Sequence, residues 1–233
     1  MVNGGSALLD LFLSLFLLIG ISFALSYFWT GILAGRKFRI VLFPGIAVHE
    51  LSHALACLLT GARIKKVKLF SAEKAHVAHE KPRLPLIGNF IISFSPIIGG
   101  IAAIALISWG FGYDFPPAAL SYHFLPDSLF TLIGNLFRFF ADYYQNWQFW
   151  IFSYVSLSVI IFLVPSKQDL KNSFQSTLLG FVLLFLLLHF GVFNEPISSF
   201  LSGLAGILGV GIFFGSLALA VTIPAYIVKK LIL

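Results

Sequence analysis

The sequence predicts an all-α polytopic membrane protein with about six transmembrane helices and a short loop, β-rich or irregular, after the second. Hydrophobic residues make up 59% of the 233 residues and charged residues only 10%, and the mean hydropathy is +0.97. A soluble domain of ordinary composition has about a quarter of its residues charged. We therefore expect one integral-membrane domain over residues 1–233, with its core at about 40–172.

Six apolar segments are candidates for membrane crossings, since one helical crossing takes about 20 apolar residues. The first has no basic residues before it and is too long for a cleaved signal, so we interpret it as a retained helix. Between the third and fourth, the amphipathic stretch Leu129–Tyr144 is expected to lie in the membrane interface or to form a seventh, poorer span. The six segments are Leu8–Leu33, Ile40–Thr60, Leu86–Trp109, Trp147–Val164, Ser176–Val192 and Leu204–Val228.

Basic residues indicate how these segments are oriented. Most of them fall between the second and third segments, after the fourth and after the sixth, which lie on one side of a six-helix arrangement. This side is predicted to be cytoplasmic. The cluster Arg36, Lys37 and Arg39 is an exception to the pattern. The net charge of +6 thus reflects topology, and we expect the lipid bilayer, and no nucleic acid, as a partner.

The basic loop at residues 62–85 differs from an ordinary short connection. The stretch Ile64–Phe70 alternates partly between apolar and basic residues and is followed by Ser71–Lys74 and then His76–His79. Alternation around a polar turn is typical of a β-hairpin. A solvated, irregular loop is the alternative.

The second segment contains the motif His49-Glu50-Leu51-Ser52-His53. On a helix, His49 and His53 project from one face, one turn apart. Two neutral imidazoles at this spacing can bind one Zn²⁺, and Glu50 can act as a general base on water at the open coordination position. Because ionisable residues inside an apolar span are costly, they are usually functional. The alternative is a buried His–Glu cluster on the proton path of a transporter.

The stretch from Val48 to Ala56, followed by Leu59 to Ile64, resembles the motif helix of the site-2 protease family of intramembrane zinc metalloproteases. The resemblance covers about Ile40 to Asn172. It implies a membrane-embedded HExxH helix, a β-rich membrane-associated loop after it, and an aspartate from a later helix as the third zinc ligand.

Asp169 is the candidate for that third ligand. It lies after Pro165, at the end of the fourth segment, as the resemblance implies. The match is partial, because Phe162 stands where the family has asparagine, Leu170 stands where it has glycine, and the spacing from proline to aspartate is one residue shorter. Alternatively, Asp169 is an acid in the first turn of a helix, stabilised by the helix dipole.

Two other residues compete with Asp169 and are less suitable. His189 falls near the opposite side of the membrane in the predicted topology. Cys57 lies on the face of His49 and His53, but ligands at i, i+4 and i+8 of one straight helix span about 12 Å. Cys57 is therefore expected to be a core residue.

Together these features predict an intramembrane zinc metalloprotease that hydrolyses peptide bonds within or near transmembrane segments of membrane-protein substrates. Glu50 is the predicted catalytic residue, and one Zn²⁺ per chain is held by His49, His53 and Asp169. A transporter, or a catalytically silent scaffold that uses the same cluster for protons or metal, is the alternative. The expected location is multi-pass in the cell membrane of a prokaryote; the oligomeric state stays open.

Overall fold

The fold is mostly helical, with one small sheet after the third helix. The computed structural model describes residues 4–33, 36–69, 76–113, 125–163, 167–190 and 194–232. In these ranges the elements are α1 (Gly4–Ile32), α2 (Arg36–Val41), α3 (Phe43–Leu59), β1 (Ile64–Lys68), β2 (His76–His79), α4 (Pro85–Phe111), α5 (Leu125–Tyr143), α6 (Trp147–Ile161), α7 (Lys167–His189) and α8 (Asn194–Ile232).

Three of the described helices are long and apolar enough to cross a membrane, which confirms the expectation of a membrane protein. They are Ser6–Ile32, Pro85–Phe111 and Glu195–Ile232. The helices α3 and α6 are also apolar but shorter, at 17 and 15 residues. The total of six crossings therefore remains a prediction.

Two elements differ from the predicted segments. The helix α7 contains most of the fifth segment, but it begins earlier, at Lys167, with a charged first turn. The helix α8 has 39 residues and begins ten positions before the predicted Leu204. A prediction from hydropathy begins a segment at the first apolar residue after the charged ones. The helix itself can begin earlier, because polar residues also make its backbone hydrogen bonds.

The amphipathic stretch before α6 forms a helix, α5, as predicted. Phe130 and Phe137 are about three-quarters exposed, whereas Leu132 and Phe139 are buried. Phe139 contacts the rings of Phe213 and Phe214 on α8. One face of α5 thus packs on the bundle, and the other is exposed.

The motif helix α3 lies between α4 and α6, and α4 also packs against α7. On the far side α1 runs along α8, and the largest buried side chains come from α1, α4, α6 and α8. A large apolar core and a smaller cluster around Ala56 and Cys57 therefore flank α3, and α4 brings the start of α7 close to it.

The N-terminal end of α3 is held against α6 by hydrogen bonds between its backbone and the Ser158 side chain. The Gly45 N–H donates to Ser158 Oγ (2.8 Å), and this hydroxyl donates to the Leu42 carbonyl (2.9 Å). Gly45 lies so close to α6 that a Cβ there would overlap the Ser158 carbonyl oxygen. The hydroxyl thus satisfies one of the N–H groups that a helix start leaves unpaired, and the glycine sets the close approach of the two helices.

The C-terminal end of α3 leads directly into the sheet. Gly61 has a φ of 68°, and the Ala62 N–H donates to the Cys57 carbonyl (2.8 Å). This is the Schellman ending, in which glycine adopts the left-handed conformation that other residues rarely take. The chain then turns back along α3 as β1.

The predicted β-hairpin is confirmed as two antiparallel strands, with Val67 opposite Val77 and Lys68 opposite His76. An irregularity interrupts the register between Ile64 and Lys66. The predicted turn at residues 71–74 lies outside the described residues. Both strands contact α3, so the hairpin lies against the motif helix.

Candidate metal centre

The two motif histidines project from one face of α3, as the spacing predicts. Their Nε2 atoms are 3.2 Å apart, and their rings are nearly perpendicular, at 83°. His53 is 7% exposed, and His49 is partly buried. The pair thus faces into the bundle, between α4 and α6.

Each of these rings has a backbone carbonyl at its other nitrogen. His49 Nδ1 lies at hydrogen-bonding distance from the Phe162 carbonyl, just past the end of α6. His53 Nδ1 is 2.8 Å from the Ile92 carbonyl, inside α4. A carbonyl oxygen can only accept, so each Nδ1 carries the proton, and in the neutral ring the lone pair is on Nε2.

The spacing and orientation of the two neutral rings are compatible with a shared metal ion. With both Nδ1 atoms protonated, the two Nε2 lone pairs face each other, and neither neutral ring has a proton to share. Two nitrogen ligands of a tetrahedral Zn²⁺ with bonds of 2.0–2.1 Å lie about 3.3 Å apart. The observed spacing is close to this value, and the carbonyl partners are of the kind that orients metal-binding histidines.

Asp169 lies in the first turn of α7, next to the two histidines. Its Oδ2 atom is 3.5 Å from His53 Nε2, and one ligand atom from each of the three residues lies within 4.8 Å of the others. The Asp169 carbonyl accepts hydrogen bonds from Ser93 Oγ on α4 and Ser173 Oγ on α7, both at 2.9 Å. Ser93 therefore ties the start of α7 to α4 beside the histidines.

Glu50 is 7% exposed and lies next to these three residues, outside the ligand set. Its carboxylate is close enough to His53, Asp169 and the Val77 backbone of β2 to interact electrostatically with them. The acid is thus positioned between the three candidate ligands and the hairpin.

The two competing candidate ligands, Cys57 and His189, differ in how far the structure describes them. Cys57 is fully buried in a small apolar cluster with Ala56, Ala62 and Ile92, which supports its assignment to the core. The side chain of His189, like Pro165, lies outside the described residues.

Sequence reasoning missed the parts of the site that come from the backbone and from a serine. The carbonyls of Ile92 and Phe162 and the Ser93 hydroxyl make specific contacts to the site, but the two carbonyls belong to the main chain. Only the Ile92 carbonyl had a signal in the sequence, namely the proline four residues later.

Comparison with protein-family models, with curated proteins and with solved structures finds no match for this chain.

Proposed function

We propose that this protein is an intramembrane zinc metalloprotease. The observation that carries the proposal is the convergence of His49 Nε2 and His53 Nε2 from α3 with an Asp169 carboxylate oxygen from α7, beside a buried Glu50. Two histidines with a carboxylate are a common ligand set of catalytic zinc, which keeps a fourth position open. The resemblance of the motif helix to the site-2 protease family agrees with this assignment.

In this proposal the residues of α3 and α7 have distinct roles. His49, His53 and Asp169 hold the ion, which when bound polarises the scissile carbonyl and lowers the pKa of water. Glu50 removes the proton of the attacking water and later delivers it to the leaving amine. Glu50 is buried beside the ligands and the Val77 backbone of β2, so the base lies at the site before substrate arrives.

The substrate in this proposal is a transmembrane segment of another protein, unwound locally. A two-stranded sheet has unpaired edges that can accept a further strand. Because Val77 of β2 reaches Glu50, an extended peptide added beside β2 would bring its backbone to the general base. About six crossings, with the hairpin on the cytoplasmic side of a prokaryotic cell membrane, complete the proposed arrangement.

The positions of the buried ionisable side chains favour a single hydrolytic centre over the proton path of a transporter. Among the residues that the structure describes, the buried acidic, basic or histidine side chains are Glu50 and His53. Both belong to the motif. A relay across the membrane needs ionisable groups along its whole length, whereas a hydrolytic centre needs them at one depth.

The test is zinc-dependent cleavage of a membrane-spanning test peptide by the purified protein in lipid vesicles. We expect cleavage that stops on treatment with a zinc chelator and returns when zinc alone is added, because the chelator removes the ion but not its three protein ligands. Cleavage that persists after chelation, or a zinc-loaded protein that cleaves none of a panel of apolar helical peptides, would contradict the proposal.

A further inference from the structure

The carbonyl that contacts His53 is unusual in its own helix. In an α-helix the carbonyl of residue 92 normally accepts the N–H of residue 96, four positions later. Residue 96 is proline, buried in the middle of α4, and proline has no N–H. The Ile92 carbonyl is therefore released from the helix ladder at the level of the metal centre.

We infer that Pro96 is a positioning residue for the metal ligand His53. The inference rests on the proposed function, because it assigns a role in the same centre. The missing N–H leaves the Ile92 oxygen free to accept the His53 Nδ1 proton at 2.8 Å. This hydrogen bond holds the ring in the tautomer and orientation that direct Nε2 towards Asp169 and His49.

The occupancy of the Ile92 carbonyl explains why the proline matters. A carbonyl oxygen has two lone pairs. One accepts Ser95 Oγ at 2.8 Å, and the other accepts His53 Nδ1. An N–H at position 96 would be a third donor for two acceptor positions. It is already aligned by the helix, so it would compete with His53 Nδ1 for the oxygen and weaken that contact.

The same principle holds at the other histidine. His49 donates to the Phe162 carbonyl, which follows the last residue of α6. The last carbonyls of a helix have no intrahelical donor. Both imidazoles are thus oriented by carbonyls released from helix hydrogen bonding, one by a helix end and one by Pro96. In an apolar bundle the other backbone carbonyls accept hydrogen bonds within their helices. The released carbonyls are therefore the backbone acceptors available to an imidazole N–H.

The decisive variant is Pro96→Ala, with Pro224→Ala in α8 as the matched control. Both substitutions restore an N–H inside a helix, and alanine is the best helix former. We expect Pro96→Ala to weaken zinc affinity by about 10–100-fold, measured by competition with a chromophoric chelator, as for the loss of other contacts that orient metal ligands. Pro224→Ala should leave the affinity within about twofold of the original value.

A second substitution distinguishes loss of the hydrogen bond from a general change of α4. Removing the Ser95 hydroxyl in the double variant Ser95→Ala/Pro96→Ala returns one lone pair of Ile92 to His53. The double variant should therefore regain most of the zinc affinity. Equal affinities in Pro96→Ala and the wild type, or no recovery in the double variant, would overturn the inference.

The wild-type protein supplies a measurement that does not depend on the folding of any variant. In the zinc-loaded, ¹⁵N-histidine-labelled protein, the Nδ1 proton of His53 should be present and exchange slowly with water, since it is hydrogen-bonded and buried. An unprotonated or rapidly exchanging Nδ1 would refute the role of Pro96. Failure of the wild type to bind zinc would refute the proposed function instead, so the two failures can be told apart.

Discussion

Replacing Glu50 by Gln is expected to lower peptide hydrolysis by about 10²–10⁴-fold, the usual contribution of a general base, without loss of zinc. Glutamine has nearly the shape of glutamate, and its side-chain oxygen can still accept hydrogen bonds. It cannot remove a proton from water. Glu50 lies outside the set of candidate ligands, so metal content should not change. Rates from single-turnover cleavage of a membrane peptide, with zinc analysis of the same samples, measure both effects.

Glu80→Gln is the matched control. Glu80 follows β2, is exposed, and forms an ion pair with Lys65 at 3.4 Å. Its substitution makes the same chemical change beside the same hairpin, and we expect cleavage to stay within about twofold, since exposed ion pairs contribute little. Full activity of Glu50→Gln would exclude Glu50 as the base. Loss of zinc in this variant would instead show that Glu50 is a ligand.

Replacing Asp169 by Ala is expected to weaken zinc binding by more than about 100-fold, because loss of a ligand exceeds the loss of the contacts that orient ligands. Two histidines would remain, and water would have to fill the third position. Competition with a chelator measures the affinity. The Ser93 and Ser173 hydrogen bonds go to the Asp169 backbone, so the start of α7 should remain in place.

Asp127→Ala distinguishes a ligand from a dipole-stabilising acid. Asp127 occupies the first turn of α5 as Asp169 occupies that of α7, and it is exposed. Removing either acid loses a similar helix-dipole interaction, about 0.3–1 kcal/mol. Only Asp169→Ala should change zinc affinity. If the two variants bind zinc equally well, Asp169 is a helix-start acid, and the third ligand lies elsewhere.

The parts of the molecule that follow from local periodicity could be predicted from the sequence. The spacing of His49 and His53 sets their common face, because the geometry of a helix allows no other arrangement. Alternation in the stretch from Ile64 to Phe70 likewise indicated the hairpin, since a strand places successive side chains on opposite faces.

The parts that depend on packing between helices could not be predicted in the same way. Asp169 was a candidate only through a partial motif, and its approach to His53 depends on contacts of α4 with α3 and α7. The Phe162 carbonyl could not be identified, because any residue at a helix end offers one. The Ile92 carbonyl could have been identified, because Pro96, four residues later, lacks the N–H that would normally donate to it.

Zinc analysis of the purified wild-type protein, combined with X-ray absorption at the zinc edge, tests most directly whether these three residues hold a metal ion. We expect about one zinc ion per chain, bound by two imidazole nitrogens and a carboxylate oxygen at about 2.0–2.2 Å. A protein that takes up no zinc would contradict this expectation. So would a sulfur ligand at about 2.3 Å, which would place the ion at Cys57 and away from Asp169.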